Sequence, residues 1–87
     1  MTHYEFYNSI PRERVSRLQA ARIFPRHTMR NITIYEQFLA ERERAANWPS
    51  RNLRAPTVMD AYTAVADLNA LCEEQVARIV RLMDRPI

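Results

Sequence analysis

The sequence predicts an all-α protein, a small three-helix bundle with a long C-terminal helix. Two observations carry this prediction: apolar residues recur at helical spacings, and no hairpin dipeptide such as Asn-Gly interrupts them. The 87 residues include no glycine, so prolines divide the chain instead, and helix interiors are expected between them because proline lacks an N–H. This length gives one helical domain over residues 1–87. The prolines are Pro11, Pro25, Pro49, Pro56 and Pro86.

The C-terminal helix, residues 57–84, is the clearest predicted element. Thr57 followed by Asp60 has the pattern of a capping box, with aspartate in the place of glutamate. Apolar residues then recur at alternating spacings of four and three, which indicates a heptad seam. Because two short helices cannot cover this length, one end is expected to project, or a second chain covers it and gives a homodimer. The seam comprises Val58, Tyr62, Val65, Asn69, Cys72, Val76, Ile79 and Met83.

Asn69 is the one amide on this apolar seam. A buried amide costs stability unless it is hydrogen-bonded. Two interpretations stay open. Asn69 controls register or oligomeric state, as a polar seam residue does in coiled coils, or it forms an internal hydrogen bond to another helix.

Two shorter helices are predicted ahead of the long one. Helix 2, residues 29–47, has the capping box Thr33-x-x-Glu36, and Thr28 is a rival N-cap. Helix 1, residues 10–24, begins after Ser9 with a proline in its first turn. Residues 48–56 are expected to form a loop. Residues 1–8 are expected to form an aromatic strap, extended across the bundle end.

The charge is distributed unevenly along the chain. All 13 basic residues are arginine, and the net charge of +3 divides into +5 for residues 1–54 and −2 for residues 55–87. Six arginines between residues 12 and 30 are opposed by Glu13 alone. Arginine forms bidentate hydrogen bonds with carboxylates and phosphates, so this stretch is a candidate docking surface. The alternative is a solvated surface that keeps the protein dispersed.

Aromatic residues add to this candidate surface. Tyr4 and Tyr7 precede the first helix, and Trp48 lies in the proline-flanked loop. Tyrosine, tryptophan and arginine dominate binding energy at interfaces, although the same aromatic side chains could instead complete a small core. The predicted partner-binding residues are Arg12, Arg14, Arg17, Arg22, Arg26, Arg30, Tyr4, Tyr7, Trp48, Arg51 and Arg54.

The residues needed for catalysis are sparse, so we expect no enzyme, no cofactor and no metal site. His3 and His27 are the only histidines, and neither has ligand-like spacing to Cys72. Glycine-dependent nucleotide and hydrolase motifs are excluded. Cys72 falls on the apolar seam, where cysteine is usually a small core residue. The longest apolar runs are three residues, too short to span a membrane, and the single cysteine forms no internal disulfide; a cytoplasmic location is expected.

One local resemblance to a known family exists. The segment Arg30-Asn31-Ile32-Thr33-Ile34-Tyr35, followed by two helices, resembles the ribbon-helix-helix repressors. The resemblance implies a dimeric DNA-binding regulator whose short strand places Asn31 and Thr33 in the major groove, with Ile32 and Ile34 inward. It covers six residues and the helix order, and a helix cap at Thr33 accounts for the same residues.

The combined features favour a non-enzymatic binding protein, an inhibitor or adaptor that docks on a larger protein or nucleoprotein assembly. The expected partner carries an acidic or phosphate-bearing surface, and nucleic acid is one form of it. This combination of small size and dense arginine is similar in character to inhibitors encoded by phages and plasmids that block bacterial CRISPR complexes. The alternatives are the DNA-binding regulator and a structural or assembly protein of a larger particle.

Overall fold

The computed structural model describes residues 1–49 and 54–87, and these residues form five α-helices. The only β-feature within them is an isolated antiparallel bridge between Thr2 and Pro86. The all-α prediction is therefore confirmed, whereas the three-helix arrangement is wrong because the chain divides into more helices. The helices are α1 (His3–Asn8), α2 (Arg12–Ala20), α3 (Thr28–Ala46), α4 (Val58–Asn69) and α5 (Glu73–Asp84).

The long C-terminal helix predicted over residues 57–84 is two helices that pack against each other. Ala70 has φ 55° and ψ 41°, the left-handed conformation that ends a helix. The Leu71 N–H then bonds to the Ala66 carbonyl at 3.0 Å, a bond of the Schellman type. The Cys72 N–H donates to Gln75 Oε1 at 3.1 Å and so helps begin α5. Because helical periodicity continues across this reversal by coincidence, the sequence pattern concealed it.

The reversal breaks the predicted heptad seam. Val65, Val76 and Met83 are buried as predicted, but Val58 is 47% exposed and Cys72 is exposed as well. The placement of Cys72 in the apolar core is therefore wrong, because this residue starts α5 at the turn. The buried part of the seam packs within this one chain, between α3, α4 and α5.

Asn69 forms the internal hydrogen bond that was one of its two interpretations. Its Nδ2 donates to Gln37 Oε1 at 2.6 Å and to the Val65 carbonyl at 2.8 Å. The side chain of Asn69 thus ties the end of α4 to the middle of α3. A half-buried amide with two partners is satisfied within the fold.

Helix α3 is the central element of the bundle. It contacts all four other helices, and its first half is buried on two opposite sides. Ile32 is 1% exposed and Ile34 is fully buried, although residues two apart on a helix point about 200° apart. The same segment carries the resemblance to the ribbon-helix-helix strand; here residues 30–35 are helical, so that strand is not present. Thr33 is exposed and bonds to the Met29 carbonyl.

Residues 1–8 contain a short helix rather than an extended strap. Thr2 and Glu5 form a reciprocal capping box that starts α1, with bonds of 3.0 and 3.1 Å. The backbone beside α1 is fixed to the other end of the chain, because the His3 N–H bonds to the Arg85 carbonyl at 3.0 Å and the Ile87 N–H to the Met1 carbonyl at 2.9 Å. The two termini therefore close one end of the bundle together.

The first predicted helix, residues 10–24, is shorter in the structure and covers Arg12–Ala20. Arg22 has φ 62°, and its N–H bonds to the Gln19 carbonyl at 3.0 Å while the Ile23 N–H bonds to the Leu18 carbonyl at 2.9 Å. These two bonds form a Schellman motif, for which glycine is the usual residue. Arg22 fills that place in a chain that has no glycine.

Replacing Ala70 by glycine should stabilise the protein by about 0.5–1 kcal/mol, because glycine adopts the left-handed conformation without a Cβ clash. The measurement is the free energy of unfolding from urea denaturation. Ala40, exposed within α3, gives the matched control: glycine there should destabilise by a similar amount, about 0.8–1 kcal/mol. Loss of stability in Ala70→Gly would contradict the conformation assigned to the turn.

Tyr35 links the middle of α3 to the end of α5, since its hydroxyl donates to the Asp84 carboxylate. The tyrosine is 8% exposed, and its ring lies 4.6 Å from that of Tyr4. Burial first, and then the hydrogen bond to Asp84, raise the pKa of Tyr35 to about 12. The protonated form is thus the one that the fold stabilises.

Tyr35→Phe should remove a pH-dependent part of the stability. A folded-state pKa above the unfolded value of about 10 means that the contribution is full below pH 10 and is lost as the pH rises towards 12. Below pH 10 the variant should be less stable by about 0.5–1.5 kcal/mol. Denaturation curves measured at several pH values should show the two free energies of unfolding converging as the pH approaches 12. A constant difference would show that the hydroxyl does not titrate as described.

Candidate interaction surface

Arg12 is separated from the other predicted arginines by its contacts within the chain. Its Nη2 lies 3.1 Å from Glu36 Oε2 and 3.2 Å from Asn8 Oδ1, while Nη1 is buried without a hydrogen-bond partner among the described residues. The side chain of Arg12 is 38% exposed and joins α2 to α3 and to the end of α1. It therefore acts mainly in holding these helices together.

The two N-terminal tyrosines also pack against the bundle. Tyr4 donates its hydroxyl to Glu36 Oε2 at 3.1 Å, and burial followed by this bond raises the pKa of Tyr4. The Tyr7 ring meets Phe24 edge-on at 5.2 Å between ring centroids, and it meets Phe6 at 5.5 Å. Both tyrosines are half-buried, so most of their surface is used inside the protein.

The remaining five arginines of the 12–30 stretch are all exposed. No carboxylate of the described chain lies within 4.0 Å of their guanidinium nitrogens. The same holds for Arg42, Arg81 and Arg85, whereas Arg12, Arg44, Arg54 and Arg78 each have such a neighbour. Their charge is therefore available to a partner. We call this set the front patch, and its members are Arg14, Arg17, Arg22, Arg26 and Arg30.

Three consecutive elements position the front patch. Arg14 and Arg17 are three residues apart on α2, opposite buried Val15, and therefore share the solvent side of that helix. Arg22 and Arg26 lie in the connection between α2 and α3, and Arg30 lies in the first turn of α3. Around α2 alone the arginines look scattered. Arg12 contacts Glu36, and the other five are exposed on these consecutive elements.

The α2–α3 connection is held in a defined shape by hydrogen bonds. The Gln19 side chain accepts from the Met29 N–H at 2.7 Å, and the buried Thr28 hydroxyl donates to the Pro25 carbonyl at 2.7 Å. These bonds join the end of α2 to the start of α3. The Met29 N–H in the first turn of α3 therefore has a hydrogen-bond partner within the chain. The positive charge of this region comes from its arginine side chains.

An open cleft of about 820 Å³ lies within the front patch. Its apolar lining comes from Ala20, Phe24 and Pro25, and its cationic lining from Arg22 and Arg26. Ile23, which follows Arg22 in the chain, is 68% exposed and does not line the cleft; the residue order does not indicate this exposure. No sequence signal marks Ile23, because Leu71 follows a left-handed residue in the same way and is half-buried.

The predicted residues near the second proline-flanked segment form a separate group. Trp48 is half-buried in a cleft next to Arg44 and Asn47, at the end of α3. Arg54 is 82% exposed, with its Nη2 4.0 Å from Asp60 Oδ2. Arg51 lies outside the described residues. This group adjoins the far end of α3, away from the first turn that carries Arg30.

The described part of the chain was compared with the side-chain sets that hold metal ions. Its His, Cys, Asp and Glu side chains form no group of three or more that could hold a metal ion. His3 Nδ1 contacts the Arg85 carbonyl at 2.7 Å, so this nitrogen carries the proton of that bond. None of the described helices is long and apolar enough to cross a membrane.

Arg12→Gln and Arg14→Gln should behave differently in stability measurements, although the sequence places both arginines on α2. Arg12→Gln should lower the free energy of unfolding by about 0.5–1 kcal/mol, because Glu36 and Asn8 lose a partner. Arg14→Gln should change it by less than about 0.5 kcal/mol. Chemical denaturation at low ionic strength measures both. Equal effects would contradict the division between Arg12 and the front patch.

Comparison with known proteins gave no match to this chain, whether with family models, with curated proteins or with solved structures. The interpretation of its surface therefore rests on the exposure, charge and hydrogen bonding of its own residues. The front patch differs from the other unpaired arginines in its concentration, with five such residues between Arg14 and Arg30.

Proposed function

We propose that this chain is a non-enzymatic binding protein, an inhibitor or adaptor that docks through its front patch on the acidic or phosphate-bearing surface of a larger assembly. The observation that carries the proposal is the set of five exposed arginines with no carboxylate within 4.0 Å in the described chain. Unpaired guanidinium groups on consecutive elements attract anions over several ångströms and form charge-assisted bonds on contact.

The surrounding structure supports a docking role because it holds the elements that carry the front patch in one conformation. Val15, directly behind the arginines of α2, is fully buried, and the α2–α3 connection is bonded at both ends. A surface that is ordered before binding loses less conformational entropy in the complex. The arginines are also placed on helices and a hydrogen-bonded turn, which limits how far they must rearrange.

The chain offers a control set for testing the proposal. Five further exposed arginines lie on α3, on α5 and directly after α5, and changing them alters the net charge by the same amount. A comparison of the two quintuple glutamine variants therefore separates position from total charge. The control residues are Arg42, Arg44, Arg78, Arg81 and Arg85.

Affinity capture from the native host, with quantitative mass spectrometry and nucleic-acid sequencing, should recover the same complex with wild type and with the control variant. With the front-patch variant, in which all five arginines are changed to glutamine, the amount of complex recovered should fall by about tenfold or more, since several charged contacts disappear together. Circular dichroism should be unchanged for all three proteins. A complex that survives the front-patch change, or that depends equally on both sets, would refute the proposed function.

A further inference from the structure

A small cavity of about 160 Å³ lies where four elements of the fold meet. Its walls come from α1, the α2–α3 connection, the first turn of α3 and the end of α5. Most of the lining is apolar and consists of the Tyr7 ring, Pro25, Leu82 and Met83. No arginine of the front patch lines this cavity, so it is a feature separate from the proposed docking surface.

Asn31 brings an unpaired amide to this apolar lining. Its Oδ1 is buried and accepts no hydrogen bond, and its Nδ2 donates none within the described residues. A half-buried amide without a partner costs stability, so its presence on a cavity wall requires an explanation. The other side-chain amides of the described chain each take part in at least one hydrogen bond, and they belong to Asn8, Gln19, Gln37, Asn47, Asn69 and Gln75.

Hydrogen bonds hold the walls of the cavity in one conformation. The buried Thr28 hydroxyl donates to the Pro25 carbonyl at 2.7 Å, which joins the start of α3 to the connection before it. His3 Nδ1 bonds to the Arg85 carbonyl at 2.7 Å, which joins α1 to the end of α5. Met83 is 1% exposed and belongs to the core. The cavity is therefore formed before a ligand arrives, which lowers the conformational entropy that binding costs.

The volume of the cavity fits a ligand with a single ring. A cavity of about 150 Å³ lined by apolar side chains holds a benzene molecule. One water molecule takes up only about 30 Å³ of the liquid and needs roughly two to four polar partners, which a mainly apolar lining does not supply. Leu82 is 39% exposed and Pro25 is exposed, so part of the lining borders the solvent from which a ligand enters.

The amide of Asn31 adds a chemical requirement to this size. A carboxamide contains both an acceptor and donors, and a group with an N–H beside a carbonyl satisfies the two together. Because its side chain makes no hydrogen bond, Asn31 can turn about its Cβ–Cγ bond and present both amide atoms without breaking one.

We propose that the cavity binds a single-ring lactam. Asn31 forms paired hydrogen bonds with the N–H and the carbonyl of the lactam, and Tyr7 and Leu82 pack against its ring. Enclosing the ring removes apolar area from water, and the paired bonds satisfy the amide that the fold leaves without a partner. This site goes beyond the proposed function and does not depend on it.

Three ring compounds of similar size test the proposal on the full chain. α-Pyridone carries an N–H beside a carbonyl, N-methyl-α-pyridone has a methyl group in place of that hydrogen, and toluene has neither polar group. Titration is followed by proton–nitrogen correlation NMR of the isotope-labelled protein. α-Pyridone should bind roughly tenfold more tightly than either of the others, since each of those loses a hydrogen bond, and it should shift the side-chain resonances of Asn31.

Asn31→Ala tests the amide, and its spectrum identifies the Asn31 side-chain resonances by their loss. Asn47→Ala is the matched control, because Asn47 is exposed at the other end of α3 and does not line the cavity. Asn31→Ala should bind α-pyridone and toluene equally, since the apolar walls remain. Asn47→Ala should keep the tenfold preference, and the front-patch glutamine variant should bind α-pyridone as the wild type does.

The wild type alone can overturn the proposal, whatever the variants do. No shift of any resonance at millimolar α-pyridone would refute the site and leave the cavity to water. Equal binding of toluene and α-pyridone by the wild type would refute the lactam as the ligand, and so would a preference that Asn31→Ala retains. None of these results bears on the front patch, which the capture experiment tests separately.

Discussion

The burial of α3 on opposite sides is the constraint on which the other features depend. Ile32 and Ile34 are both fully or nearly fully buried, which requires neighbours on two sides of one helix. α1 and α2 supply part of this cover, and the α4–α5 pair supplies the rest. A straight C-terminal helix could line only one side of α3. The reversal at Ala70 gives two segments that pack together in its place, so that Val65, Val76 and Ile79 contribute to one core.

The absence of glycine affects the turns that follow α2 and α4. Arg22 and Ala70 adopt left-handed backbone conformations in which the lack of a Cβ would be favourable. Local hydrogen bonds support each turn: Ile23 to Leu18 after α2, and Leu71 to Ala66 after α4. The two turns differ in the burial of the next side chain. Leu71 is half-buried against the core and stabilises its turn, whereas Ile23 remains exposed.

The charged residues divide according to whether the fold uses them. Arg12 and Glu36 meet between α2 and α3, and Tyr4 adds a third polar group at the same place. Tyr35 and Asp84 form a comparable link between α3 and α5. These partly buried contacts complement the apolar core at the end of the bundle where the termini meet. The front patch contributes no ion pair to the described fold, so exchanging its arginines removes no ion pair there.

The sequence by itself determined the helical class, the start of α4 and the concentration of arginine between residues 12 and 30. These features are local. The two hydrogen bonds of the Thr57–Asp60 capping box form within one helical turn, and the concentration of arginine is a property of the sequence itself. Only the tertiary structure decided that Ala70 reverses the chain and that Arg12 faces inward. Both outcomes depend on partners distant in sequence, since α5 must fold back on α4 and Glu36 lies 24 residues from Arg12. A heptad pattern and a run of arginines do not predict such partners. Residue spacing indicates the direction of a side chain around its own helix, but not which residue of another helix it contacts.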